Sequence, residues 1–181
     1  MKVAAFTGSL RKGSFNHGLL VAAQELVPKE VEIEILDVGL LPLFNQDFEM
    51  NLPQVVKDFK AKVKAADAIL IATPEYNYSI PGVLKNALDW GSRPYGDNSF
   101  EEKPVAIMGA SSGMIASARA QYHLRQMFVF LNMFPLNRPE VMVPTAADKF
   151  DQNLKLTDQK TRDKIKELLE ALVVWHDRLK K

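Results

Sequence analysis

The amino-acid sequence predicts an α/β three-layer sandwich built on a five-stranded parallel, doubly wound sheet with helices on both faces. Three observations point there. Short, β-branched apolar runs recur along the chain, and each is followed by a segment of helical period. A chain of 181 residues, 47% of them hydrophobic, fits one domain over residues 1–181 and buries about 70% of its unfolded surface, so it needs neither disulfides nor a structural metal.

Val3 to Thr7 reads as the first strand, Val31 to Val38 as the second, Ala68 to Thr73 (AILIAT) as the third and Val105 to Gly109 as the fourth, while Val141 to Val143 lies in the fifth. The helices fall between them. Asn16 to Leu26 follows the first strand; Val55, Val56, Phe59 and Val63 form a stripe before the third; Pro81 opens another helix with Val83, Leu84, Ala87 and Leu88 facing inward. A longer helix runs from about Ile115 to Met133. Its apolar run, Met127 to Leu131, is wider than one helical face needs, which predicts either a fully buried helix or a subunit interface, and pattern alone favours burial. The last helix carries Ile165, Leu168, Leu169, Leu172, Val173 and Leu179 at helical spacing, behind Thr157 as N-cap and Asp158 in its first turn. Right-handed crossovers leave few ways to assemble such a series, and a flavodoxin-like sheet is the arrangement that fits. Ligands of such sheets sit at the carboxyl ends of strands where the strand order reverses, which directs attention to the loops after strands one, three and four.

Composition narrows the chemistry before any motif is read. Lys and Arg number 23 against 22 for Asp and Glu, a net charge of +1, so the electrostatic footprint of a nucleic-acid binder is missing and small molecules are the expected partners. The absence of cysteine excludes thiolate nucleophiles, zinc knuckles and iron–sulfur clusters. The opening apolar run breaks at Thr7-Gly8, and no later stretch approaches the roughly 18 apolar residues of a membrane span, which predicts a cytoplasmic protein with no membrane segment. His17, His123 and His176 stand alone, without metal-ligand spacing or a partnered serine, so neither a metal site nor a catalytic side chain is expected.

The loop after the first strand, TGSLRKGSFN (Thr7 to Asn16), combines tight-turn glycines, the hydroxyls of Ser9 and Ser14, and the Arg11 guanidinium just before a helix N-terminus. That is a phosphate cradle, because free N–H groups and the helix dipole favour a dianion onto which arginine can fork. A P-loop would continue Lys-Ser/Thr after Gly13, where this chain has Ser14-Phe15, and a dinucleotide turn would need a glycine at Leu10. A terminal monophosphate fits better. The plainer reading is a polar loop with Ser14 or Asn16 as N-cap. After the third strand, TPEYNYSIPGVLKNALDW (Thr73 to Trp90) carries two tyrosines and Asn77 between restricting prolines, which suits a flat ligand, although the tyrosines could equally pack on neighbouring helices. After the fourth strand, Gly109 to Met114 offers small residues and free N–H groups for the polar edge of a heterocycle, or a helix start capped by Ser111 or Ser112.

GSLRKGSFN, PEYNYSIPGVLKNALDW and ASSGM in succession, with YHLRQMFVFL at Tyr122 to Leu131, closely resemble the NADPH-dependent FMN reductase family, in particular its quinone and chromate reductase branch, over nearly the whole chain. The resemblance implies that Ser9, Arg11, Ser14, Phe15 and Asn16 hold the phosphate and ribityl chain of non-covalently bound FMN. It implies that Pro74, Glu75, Tyr76 and Asn77 line the isoalloxazine, and that Ser111, Ser112 and Gly113 meet its pyrimidine edge. It further implies a homodimer or dimer of dimers with flavin sites near the subunit interface. The expected activity is an FMN-dependent NAD(P)H oxidoreductase passing hydride through flavin N5 to quinones, azo dyes, nitroaromatics or chromate. A flavodoxin-type electron carrier serving a protein partner is the alternative, and a chain at +1 lacks the acidic surface such carriers use for steering. The acceptor and the choice between NADH and NADPH stay open; a 2′-phosphate wants a basic group, and Lys12, Lys85 and Arg93 all qualify.

Overall fold

Each of the five apolar runs read as strands contributes a strand, and side-chain alternation along the sheet separates two cores. The computed structural model describes residues 1–180. Its strands are β1 (Lys2–Thr7), β2 (Glu32–Ile35), β3 (Ala68–Ala72), β4 (Pro104–Ala110), β5 (Phe134–Pro135) and β6 (Val141–Val143); its helices are α1 (Phe15–Leu26), α2 (Gln54–Ala65), α3 (Gly82–Ser92), α4 (Ala118–Leu131) and α5 (Gln159–Leu179). All pairings are parallel, in the order β2-β1-β3-β4-β5, with β6 also paired to β4. Ala4, Phe6, Ile69, Ile71, Val105 and Ile107 face α2, α3 and α4, whereas Val3, Ala5, Leu70, Ala72, Ala106 and Met108 face α1 and α5. The expected flavodoxin-like three-layer sandwich is therefore present, with the order reversing between β1 and β3.

Several expected boundaries are corrected. The fifth position of the sheet is divided: β5 pairs with Pro104 and Val105 at the start of β4, and β6 pairs with Met108 to Ala110 at its end, so six strands occupy five places. The two residues of β5 carry no periodicity, so nothing in the sequence marked this strand. Strand β2 ends at Ile35 rather than Val38, since Asp37 accepts from Gly39 N at 2.9 Å and starts a 3-10 turn over Val38–Leu40. Helix α4 starts at Ala118, not Ile115, because Ala116 and Ser117 lie in the left-handed region at φ 55° and 69°. Nor is α4 fully buried: Phe128 and Leu131 enter the core while Val129 and Phe130 stand exposed at 84% and 74%.

The N-cap of α5 is Asp158, not Thr157; its carboxylate accepts from Thr161 N at 2.8 Å and Thr161 Oγ1 at 2.5 Å. Replacing it with alanine is expected to destabilise the fold by about 1 kcal/mol in urea unfolding at neutral pH. The hydrogen bond from the Thr161 hydroxyl, ahead of the opposing effect of burial, holds the Asp158 carboxyl below its ordinary value. A carboxyl lowered by folding stabilises above its unfolded pKa of about 4 and loses that contribution as pH falls through the lowered value, so the gap between wild type and Asp158→Ala should close in acid.

Candidate active site

The loops after β1, β3 and β4 converge at the carboxyl end of the sheet around one crevice. It is lined by Ser9, Arg11, Ser14, Phe15, Asn16, Pro74, Glu75, Tyr76, Ala110, Ser111 and Ser112. Of the residues singled out from sequence, only Asn77 and Gly113 lie outside this lining, each next to a residue within it.

The floor is rigid because side chains bind one loop to the next. Ser14 is the N-cap of α1, its hydroxyl oxygen accepting from His17 N at 3.2 Å, as the plainer sequence reading had it. Capping uses one lone pair and leaves the hydroxyl hydrogen and the neighbouring N–H groups of the helix start for a ligand. Asn16 lies buried and spans two elements, donating from Nδ2 to Ala110 O at 2.9 Å and accepting at Oδ1 from Ala110 N at 2.9 Å. It thereby fixes the end of β4 against the start of α1. Phe15 packs on Phe150, ring centroids 5.2 Å apart, and the Arg11 guanidinium stands 5.2 Å from the centroid of the Phe15 ring. No acidic residue occupies the first turn of α1, and Arg11 makes no ion pair among the described residues, so the positive end of the crevice is uncompensated.

The β3 loop forms the opposite wall. Tyr76 and Ser79 exchange both backbone hydrogen bonds at 3.0 Å across a two-residue turn in which Asn77 and Tyr78 have φ 51° and 67°. Both central residues are left-handed, a turn that asparagine tolerates and tyrosine enters only under strain, and such strain concentrates at ligand sites. Glu75 is engaged elsewhere: its carboxylate accepts from Arg119 N at 3.0 Å and Ala120 N at 3.3 Å and pairs with the Arg119 guanidinium. It therefore caps α4, where the alternative reading of the β4 loop placed Ser111 or Ser112; Ser111 Oγ instead accepts from Gly113 N at 3.1 Å within its own turn. Arg119 in turn stacks 3.7 Å over Tyr78. Arg119 escapes a sequence reading because its partner lies 44 residues away in a different loop. Gly109 makes the convergence possible, since a Cβ there would lie 2.0 Å from Ser117 Oγ and 2.4 Å from Thr73 O.

These donors, with a rigid aromatic wall and an unpaired cation at a helix start, can hold a phosphate at one end and a flat heterocycle at the other. Among the described residues no group of three His, Asp or Glu could hold a metal ion, and no helix is long and apolar enough to cross a membrane.

Comparison with known proteins agrees with that chemistry. Residues 1–148 match the family model described as NADPH-dependent FMN reductase. The chain is 50% identical over 181 residues to an NAD(P)H-dependent FMN reductase of Pseudomonas aeruginosa, covering 99% of this chain and 97% of that one. It is 41% identical to a 2-hydroxy-1,4-benzoquinone reductase of a Burkholderia species, with 97% of this chain and 96% of the relative covered. Among solved structures, the flavoenzyme NAD(P)H:(acceptor) oxidoreductase FerB of Paracoccus denitrificans superposes with a TM-score of 0.90 at 37% identity, covering 98% of this chain and 97% of FerB. The chain belongs to the NADPH-dependent FMN reductase family.

Proposed function

We propose that this protein is an FMN-dependent NAD(P)H oxidoreductase that reduces quinones, with azo dyes, nitroaromatics and chromate as further acceptors. The observation that carries the reading is the crevice itself, in which an unpaired Arg11, the N-terminus of α1 and three converging loops match the parts of one FMN molecule. Names of relatives at 41–50% identity, all reductases of FMN or quinones, support it.

Arg11 and the α1 N–H groups would neutralise the phosphate, with the hydroxyls of Ser9 and Ser14 beside them. The backbone of Pro74 to Asn77 would line the ring, and the N–H groups of Ser111 to Gly113 would favour negative charge at its pyrimidine edge. Bound FMN would supply hydride acceptance from a reduced nicotinamide and delivery to the acceptor. The crevice, about 150 Å³, is below the ~300 Å³ at which pockets swallow a drug-sized ligand, so it would enclose only part of FMN and would leave room beside it for a second flat molecule. No acid–base side chain is needed. Glu75, tied to Arg119 and two N–H groups, is unsuited to proton donation, which leaves solvent water as the simpler donor.

A homodimer or dimer of dimers is part of the proposal. Val129 and Phe130 project from α4 beside an apolar cleft of about 290 Å³ between α3 and α4, lined by Phe44, Leu88 and Met127 among others. An exposed apolar face of this kind suits a second copy of the chain. The need for reduced nicotinamide favours the cytoplasm.

Stopped-flow mixing with NADPH or NADH tests the reading: the yellow purified protein should bleach within the turnover time and recover its colour on adding a quinone. A protein carrier of electrons, the alternative, would stay oxidised. Light scattering at micromolar concentration should return at least two chains per particle.

A further inference from the structure

We propose that a second cleft, beside the first and lined by Lys12, His17 and Asp37, receives the adenosine 2′-phosphate end of NADPH and sets the preference for that coenzyme. The proposal rests on the oxidoreductase reading and deepens it.

Three cationic side chains qualified from sequence, and the structure separates them. Lys85 is ion-paired with Asp89 at 2.6 Å on the same helix. Arg93 is ion-paired with Glu49 at 2.6 Å and stacked 3.8 Å over Tyr95. Lys12 alone of the three has no hydrogen-bond or ion-pair partner among the described residues, and its side chain is exposed. It lines a cleft of about 420 Å³ at the carboxyl ends of β1 and β2, within the size range of nucleotide pockets. Ser9 and Arg11 line both this cleft and the first crevice, so a molecule with its nicotinamide on the open flavin face can extend its other half past them.

The walls fit a nucleoside carrying an extra phosphate. Leu10, Leu36 and Val38 provide apolar surface, and Leu10 reaches across to Gly39, its methyl group 2.7 Å from where a Cβ would stand. Asp37 accepts from Gly39 N through Oδ1, which leaves its other oxygen for a ribose hydroxyl. A carboxylate there opposes a 2′-phosphate, as it does at the end of the second strand in dinucleotide folds. Against it stands Lys12, exposed and unpaired among the described residues, with His17 adjacent; Arg11 is taken up by the FMN phosphate, so Lys12 is the cation left for a 2′-phosphate.

The proposal is tested with FMN-loaded wild type, Lys12→Ala and Asp37→Asn, the last keeping an oxygen for the Gly39 N–H. By calorimetry, wild type should bind adenosine 2′,5′-bisphosphate about tenfold more tightly than adenosine 5′-monophosphate, and Lys12→Ala should lose that difference. In steady state, kcat/KM for NADPH should fall about tenfold in Lys12→Ala with NADH changed less than twofold, while Asp37→Asn should raise NADPH over NADH severalfold. Equal binding of the two adenosine phosphates by wild type, or equal loss with both coenzymes in Lys12→Ala, overturns the proposal. Failure of the parent reading looks different: the flavin would not bleach with either coenzyme, and calorimetry, which needs no turnover, would still decide whether the cleft takes the 2′-phosphate.

Discussion

Arg11→Ala should lower FMN affinity about a hundredfold, so that the variant purifies nearly colourless and is reconstituted only by excess FMN. Two charge-assisted hydrogen bonds from a guanidinium to one phosphate, each worth about 1.5–3 kcal/mol, support a loss of that order even after allowing for exposure of the side chain. Arg11 carries no ion pair among the described residues, and its guanidinium lies 5.2 Å from the Phe15 ring centroid. Removing it should therefore leave the melting temperature of the apoprotein within a degree or two of wild type, and equilibrium dialysis should reveal the affinity loss by itself. Arg11→Lys should recover only part of it, because an ammonium cannot fork onto two oxygens. Unchanged flavin affinity in Arg11→Ala would remove the phosphate assignment.

Lys60→Ala should destabilise the fold by about 3 kcal/mol without altering FMN affinity. Lys60 is 4% exposed, yet its ammonium is fully partnered, donating to Gly91 O at 3.2 Å, Arg93 O at 2.5 Å and Asp97 O at 2.7 Å, with the Asp97 carboxylate at 3.4 Å. Two of these carbonyls belong to the C-terminal end of α3, where a cation offsets the helix dipole. Burial pulls the ammonium below its ordinary pKa, and the Asp97 carboxylate works against that pull. Truncation to alanine strands several buried acceptors and opens a cavity, whereas loss of a single exposed ion pair would cost well under 1 kcal/mol. For a chain of this size the expected fall in melting temperature is about 6–12 °C, measurable by circular dichroism. Lys60→Met, which retains the stem, should recover the packing but not the hydrogen bonds.

These two residues show how far a one-dimensional reading reaches. Arg11 stood out as a candidate because what marks it is local: a buried strand ending at Thr7, two glycines, and Ser14 capping a helix whose first turn lacks an acid. Lys60 did not, since nothing in VVKDFKAKVK separates a lysine bound to three carbonyls from its solvated neighbours. The same holds for Glu75, which sits in a motif chosen for its aromatics but serves to cap α4, and for Asn16, whose amide joins α1 to Ala110 across 94 residues. The exposure of Phe130 was misjudged from pattern because hydrophobic width alone does not say which neighbour covers a helix face.

Local chemistry written in the chain was enough to specify alternating strands and helices, the turn residues, and the three loops that carry the site, because apolar period, proline, glycine and capping residues act over a few positions. Distances between those loops, the partners of Glu75, Asn16 and Lys60, the division of the sheet edge between β5 and β6, and the unpaired state of Lys12 were decided only when the chain closed on itself. Each depends on groups tens of residues apart meeting at hydrogen-bond range, and no window of sequence contains both partners.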